Sequence, residues 1–171
     1  MSATRPVIDA VVEHLQAAIP WVIVEAFPER PSEYQFIHPT GAILVGYGGS
    51  KFTALEHLGS IAQQRDITLV LTVIGSNLHG DEGTLAILDE TRLAIVGFRP
   101  PNCLPCHLLA ERFLSEDAGA WQYELTVQTE TQQVQVYKPD GNPLFIQARY
   151  RHEGNPLDPD LKPNPKSNNK E

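Results

Sequence analysis

The chain has 171 residues, 42% of them apolar and 20% charged, with a formal net charge of −8. That length suits one domain with a real hydrophobic core rather than two, and the composition lies far from that of disordered chains. The segment from Arg151 on balances its acids and bases, so residues 1–150 carry the whole acidic excess; such a body lacks the basic footprint that displaces phosphate counterions, which argues against tight nucleic-acid binding.

No basic region leads into an uninterrupted apolar run at the start of the chain, so no secretion signal is expected. Val7, Ile8, Val11, Val12, Leu15 and Ile19 recur at spacings of three and four, which predicts a helix over Pro6–Ala18. Thr4 is the expected N-cap, Pro6 fits a first turn that needs no N–H, and Pro20 blocks continuation. Trp21–Phe27 is rich in β-branched and aromatic residues and predicts a strand, closed by Pro28 and Pro31. Tyr34–His38 and Ala42–Tyr47 flank Pro39-Thr40-Gly41 and predict a hairpin.

Gly46-Tyr47-Gly48-Gly49-Ser50-Lys51 reads as a flexible junction or contact loop. Its glycines resemble a phosphate loop only superficially. Lys51 follows Ser50 and precedes Phe52, which breaks the Gly-x-x-x-x-Gly-Lys-Ser/Thr spacing.

Arg65–Gly75 is the strongest strand in the chain, apolar enough for the centre of a sheet. Like Leu85–Val96, it falls short of the roughly 20 apolar residues a membrane span requires, so no membrane role is expected. Asp81–Val96 returns to helical spacing, with Asp81 as expected N-cap and Gly97 as a left-handed stop. Further strands are predicted near His107–Leu114, Trp121–Glu130, Gln133–Tyr137 and Leu144–Tyr150, with a turn at Lys138–Asn142. Two helices among roughly seven strands give an α+β class, a mixed or antiparallel sheet with both main helices packed on one face. The domain is expected over 1–153. Residues 154–171 form a Pro/Asn/Lys-rich tail in which only Leu157 and Leu161 can be buried.

The sharpest local motif is Cys103-Leu104-Pro105-Cys106-His107, which matches the spacing of covalent c-type haem attachment. Without an export signal, and with Met1 the only methionine, the expected state is a pair of reduced structural thiols. Half a zinc site and a thioredoxin-like redox pair are weaker still, since there is no second Cys pair and the motif lies in a proline-rich loop. His79, Asp81 and Glu82 cluster where metal ligands or an acid–base group could stand, but Asp81 and Glu82 read as complementing the positive helix start, and Glu111, Glu116 and Asp117 as scattered carboxylates on a solvated loop. No catalytic, metal or cofactor set is assembled, and the protein is not expected to be an enzyme.

Several stretches resemble a family of Mu-like phage tail proteins related to the tail terminator protein U of phage lambda. They are Trp21–Glu29, His38–Ser50, Gln64-Arg65, Gly97-Phe98-Arg99-Pro100-Pro101, Glu111-Arg112-Phe113 and Trp121-Gln122-Tyr123. The resemblance covers about residues 6–130. It implies a homohexameric ring that caps the head-proximal end of the tail tube and joins it to the neck. Its partners would be further copies of the chain, the tube protein, sheath in a contractile tail, and neck or connector proteins. The protein would be assembled in the host cytoplasm and end in the virion, with DNA passing through the ring without specific binding. Expected contact residues are Tyr47, Gly48, Gly49, Ser50 and Lys51, with Leu157 and Leu161 of the tail. The competing readings are another head–tail connector or minor tail protein, and a redox or haem protein using Cys103, Cys106 and His107.

Overall fold

In the computed structural model, which describes residues 3–30, 39–54 and 61–136, seven elements follow in chain order. They are α1 (Arg5–Ala18), β1 (Ile23–Ala26), β2 (Gly41–Phe52), β3 (Ala62–Gly75), α2 (Thr84–Ile95), β4 (His107–Asp117) and β5 (Ala120–Val134). All lie within one unit, Met1–Gln135. The strands form a single sheet in the order β1-β2-β3-β5-β4, with β1 parallel to β2 and every other pair antiparallel. This is the mixed α+β sheet that the sequence predicts.

Period-two alternation in β3 puts Ile67, Leu69, Leu71 and Val73 on one face, each at most 1% exposed. The register extends these positions sideways, through Ile43-Val73-Tyr123 and Val45-Leu71-Leu125, into continuous apolar rows. Val7, Val11 and Leu15 of α1 and Ile87, Leu88 and Ile95 of α2 close over the same face. Each such side chain, fully buried, stabilises the fold by about 1.5–3 kcal/mol. Polar contacts fix the helices to each other: the His14 Nε2–H donates to the Ala94 carbonyl at 2.9 Å. The His14 ring also stacks on Phe98 at 3.9 Å between centroids, and the Trp21 indole N–H donates to Glu90 at 3.0 Å.

The strand ends define two ends of the unit. At one, Arg65 reaches Thr4 at the start of α1. At the other, Gly75 lies against Thr84 at the start of α2 and pairs with Trp121.

Several expectations change. Gly46–Lys51 is the second half of β2, kept in register by a bulge between Tyr47 and Gly49, because its backbone pairs with β3 on to Phe52. The hairpin expected across Pro39-Thr40-Gly41 is replaced: residues 42–45 have β1 on one edge and β3 on the other, and the first arm, 34–38, lies outside the described residues. Asp81 is not the cap of α2, which starts one turn later behind Gly83. There Thr84 donates both its N–H and its hydroxyl to the Asn77 carbonyl, at 2.8 and 2.6 Å. Gly97 does take the left-handed conformation expected of a helix stop, with φ +84. Thr4 occupies the N-cap of α1 without a side-chain capping bond, since its hydroxyl is taken by Arg65. Glu111, Glu116 and Asp117 lie on strand β4 rather than a loop, and Gln133 and Val134 continue β5. The described residues hold five strands. Leu144–Tyr150, the turn at 138–142 and the boundary at 153 fall outside them.

Candidate assembly surface

α2 has two flanks. One carries Ala94, which bonds His14 of α1, and Glu90, which bonds Trp21 just before β1. The other carries Leu85, Asp89, Arg92 and Val96, which the 3.6-residue period places on one side. Arg92 turns this flank toward β4, donating to Glu111 at 2.6 Å and pairing also with Asp89; its guanidinium is pushed further up by the Glu111 hydrogen bond first. On α2 Leu85 and Val96 are exposed, and on β4 Leu109 and Phe113, the last three by half or more.

Among the described residues β4 is an edge strand, interrupted by two bulges, at Leu109 and at Leu114. Phe113 shares a row with Tyr123 on the helix-covered face and meets it edge-on at 5.3 Å, with Trp121 at 6.0 Å. The hairpin that joins β4 to β5 turns through Ala118 and Gly119, both at positive φ, as two-residue hairpin loops require. Beside it stand Glu116 and Asp117, exposed, and across the start of α2 stand Asp81 and Glu82, also exposed. Among the described residues this end is apolar and acidic. The sequence reading missed it because the run 107–114 carries apolar residues at both parities; that doubling is the mark of the bulges and was the available signal.

Of the contact residues proposed from sequence, five lie among the described residues. Tyr47, Gly48, Gly49, Ser50 and Lys51 sit together at the opposite end of β2, where Tyr47 and Ser50 bond inward. The Tyr47 and Ser50 hydroxyls share a hydrogen bond at 2.9 Å, and Arg65 donates to Ser50 at 2.9 Å and to Tyr47 at 3.4 Å. These bonds, Ser50 first and Arg65 second, hold the Tyr47 phenol below its ordinary range against a smaller opposing effect of burial. Leu157 and Leu161 lie outside the described residues.

The cysteine loop is pinned to β5. Thr129 donates to the Leu104 carbonyl at 2.6 Å, Thr131 to that of Asn102 at 2.7 Å, and the Leu104 N–H to that of Glu130 at 2.8 Å. Both thiols are free; Cys106 enters the core cluster, whereas His107 is exposed at the start of β4. A haem attached through this motif would need both sulfurs and the imidazole turned toward one ring, and these two neighbours point apart. Burial first, then the neighbouring Cys103, pushes the Cys106 thiol up to about 11, and burial also raises Cys103. A thiol with a raised pKa is protonated at neutral pH and a poor nucleophile. Iodoacetamide at pH 8 is therefore expected to label Cys106 of the native protein more than ~10-fold slower than that of the unfolded chain. Equal rates would show that Cys106 is open to solvent.

No helix among the described residues is long and apolar enough to cross a membrane. No group of three or more His, Cys, Asp and Glu side chains gathers there in a metal-binding arrangement.

Comparison with known proteins adds three findings. The family model described as Gp37 protein matches residues 11–152. No curated protein matches the chain. Among solved structures, a chain from the virion of a native gene transfer agent particle shares 15% identity at a TM-score of 0.51, over 78% of this chain and 100% of that one. At that identity the likeness is one of fold.

Proposed function

We propose, from the premise that this chain belongs to the Gp37 protein family, that it is a structural protein of a phage-type virion. The observation that carries the reading is the shared fold with a gene transfer agent virion chain, which is matched over its whole length. More narrowly, the protein acts as a tail terminator: copies close through a heterologous contact into a ring on the head-proximal end of the tail tube, stop its growth and join it to the neck. It works by assembly and not by catalysis. Two features favour that role. Among the described residues the sheet ends at β1 and β4, which gives the unit two different flanks for neighbours. The net charge of −8 suits a ring through which DNA passes without adhering.

Light scattering on the purified protein, alone and with tube protein, tests the reading. The expected result is a mass about six times that of the monomer, either in free solution or once tubes are present. A monomer that ignores tubes would remove the terminator role. A ring that binds neck components but not tubes would move the protein to another connector position.

A further inference from the structure

We infer that Arg65, Tyr47 and Ser50 form a binding site for a carboxylate, either a free one or one borne by a second copy of the chain. An arginine is rarely buried without an anion beside it, because taking its charge out of water is costly. Arg65 is 8% exposed, yet it forms no ion pair among the described residues. Strand alternation sends Asp66 and its cross-strand partners Glu130 and Lys51 to the other face of the sheet, and Asp9 of α1 pairs with Arg5. Hydroxyls alone hold the guanidinium.

The cluster also has donors to spare. Arg65 gives Nε to Ser50 and Nη2 to Thr4 and Tyr47, which leaves Nη1 without a partner among the described residues. No buried side-chain nitrogen there lacks a partner, so Nη1 faces solvent. Tyr47 and Ser50 share one hydrogen bond and each accepts another from Arg65; whichever of the two donates, the other keeps a proton with no acceptor among the described residues. Tyr47 is 46% exposed, which opens the cluster to the surface. Spare N–H and O–H groups around an unneutralised cation suit an oxyanion. Two donor groups and a single charge match the two oxygens and single charge of a carboxylate, whereas a phosphate dianion brings a second charge to a body of net charge −8. A second copy carries exposed carboxylates at the far end of its unit, on Asp81, Glu82, Glu116 and Asp117. The site itself stands apart from the assembly reading.

Acetate, exchanged for chloride at constant ionic strength, tests the site on the full chain. It is expected to move the Arg65 side-chain N–H signal saturably in heteronuclear NMR, and to raise the melting temperature by roughly 4 °C at ten times its dissociation constant. The Tyr47 phenol should titrate higher in acetate, since a bound anion disfavours the phenolate. Tyr47→Phe and Ser50→Ala, which leave the guanidinium in place, should each weaken binding ~5-fold, and Arg65→Met should abolish the saturable response. With that binding in hand, light scattering separates the two sources: a mass that falls as acetate is added assigns the natural carboxylate to a second copy, and a constant mass assigns it to a free ligand. No response beyond that of chloride, a response unaltered in Arg65→Met and Tyr47→Phe, or phosphate binding tighter than acetate would overturn the inference.

Discussion

Gly75→Ala is expected to lower the stability of the fold by about 3 kcal/mol in urea unfolding, at the upper end of what overpacking costs. A methyl group at this position would lie 2.3 Å from the Thr84 hydroxyl oxygen, 3.1 Å from its Cβ and 3.2 Å from its Cα. Thr84 is fully buried and its hydroxyl is engaged with the Asn77 carbonyl, so it cannot turn aside. The helix itself must move. Ile87 and Leu88 would then lift off β2 and β3 one turn further on, which spreads the cost into the core. Thr84→Ala alone should cost about 1 kcal/mol for the lost hydrogen bond. In the double variant the oxygen that blocks the methyl is gone, so the combined loss should fall short of the separate losses by about 1 kcal/mol. Strict additivity would mean that α2 does not rest on Gly75.

The elements that the sequence predicts well are those whose pattern is local. α1 follows from Val7, Val11 and Leu15 at helical spacing, and all three are buried. β3 follows from an apolar run long enough for a central strand, and it lies between β2 and β5. What failed depends on partners distant in sequence. Gly46–Lys51 has the composition of a loop, yet pairing with 66–70 makes it strand and absorbs its surplus residue in a bulge. The parallel pairing of β1 with β2 has no sequence signature at all. The exposed apolar residues of α2 were hidden for a related reason. Leu85 and Val96 fit the helical pattern that marks a core face, and only the position of α1 on the other flank leaves them outside.

Arg65→Met is expected to cost about 2 kcal/mol, the scale of hydrogen bonds to a charged group lost from a buried site. Arg65 is 8% exposed and its guanidinium binds three hydroxyls from two segments: Thr4 at 2.7 Å before α1, and Ser50 at 2.9 Å and Tyr47 at 3.4 Å on β2. It thereby ties the first turn of α1 to the bulged half of β2. Lysine retains the charge but not the planar fork, so Arg65→Lys should lie between wild type and methionine. Tyr47 supplies a readout that simple loss of packing would not move. Two of the three influences that lower its phenol, the hydrogen bond from Arg65 and the charge of Arg65, vanish in the methionine variant, leaving only the Ser50 bond against burial. Its titration, isolated by difference from Tyr47→Phe, should therefore rise toward the ordinary value near 10. Because the wild-type phenol is held low, the fold favours its ionised form, and raising the pH through that titration adds stability that the methionine variant should lack. An unchanged Tyr47 titration in Arg65→Met would show that Ser50 alone sets it and that Arg65 serves only α1.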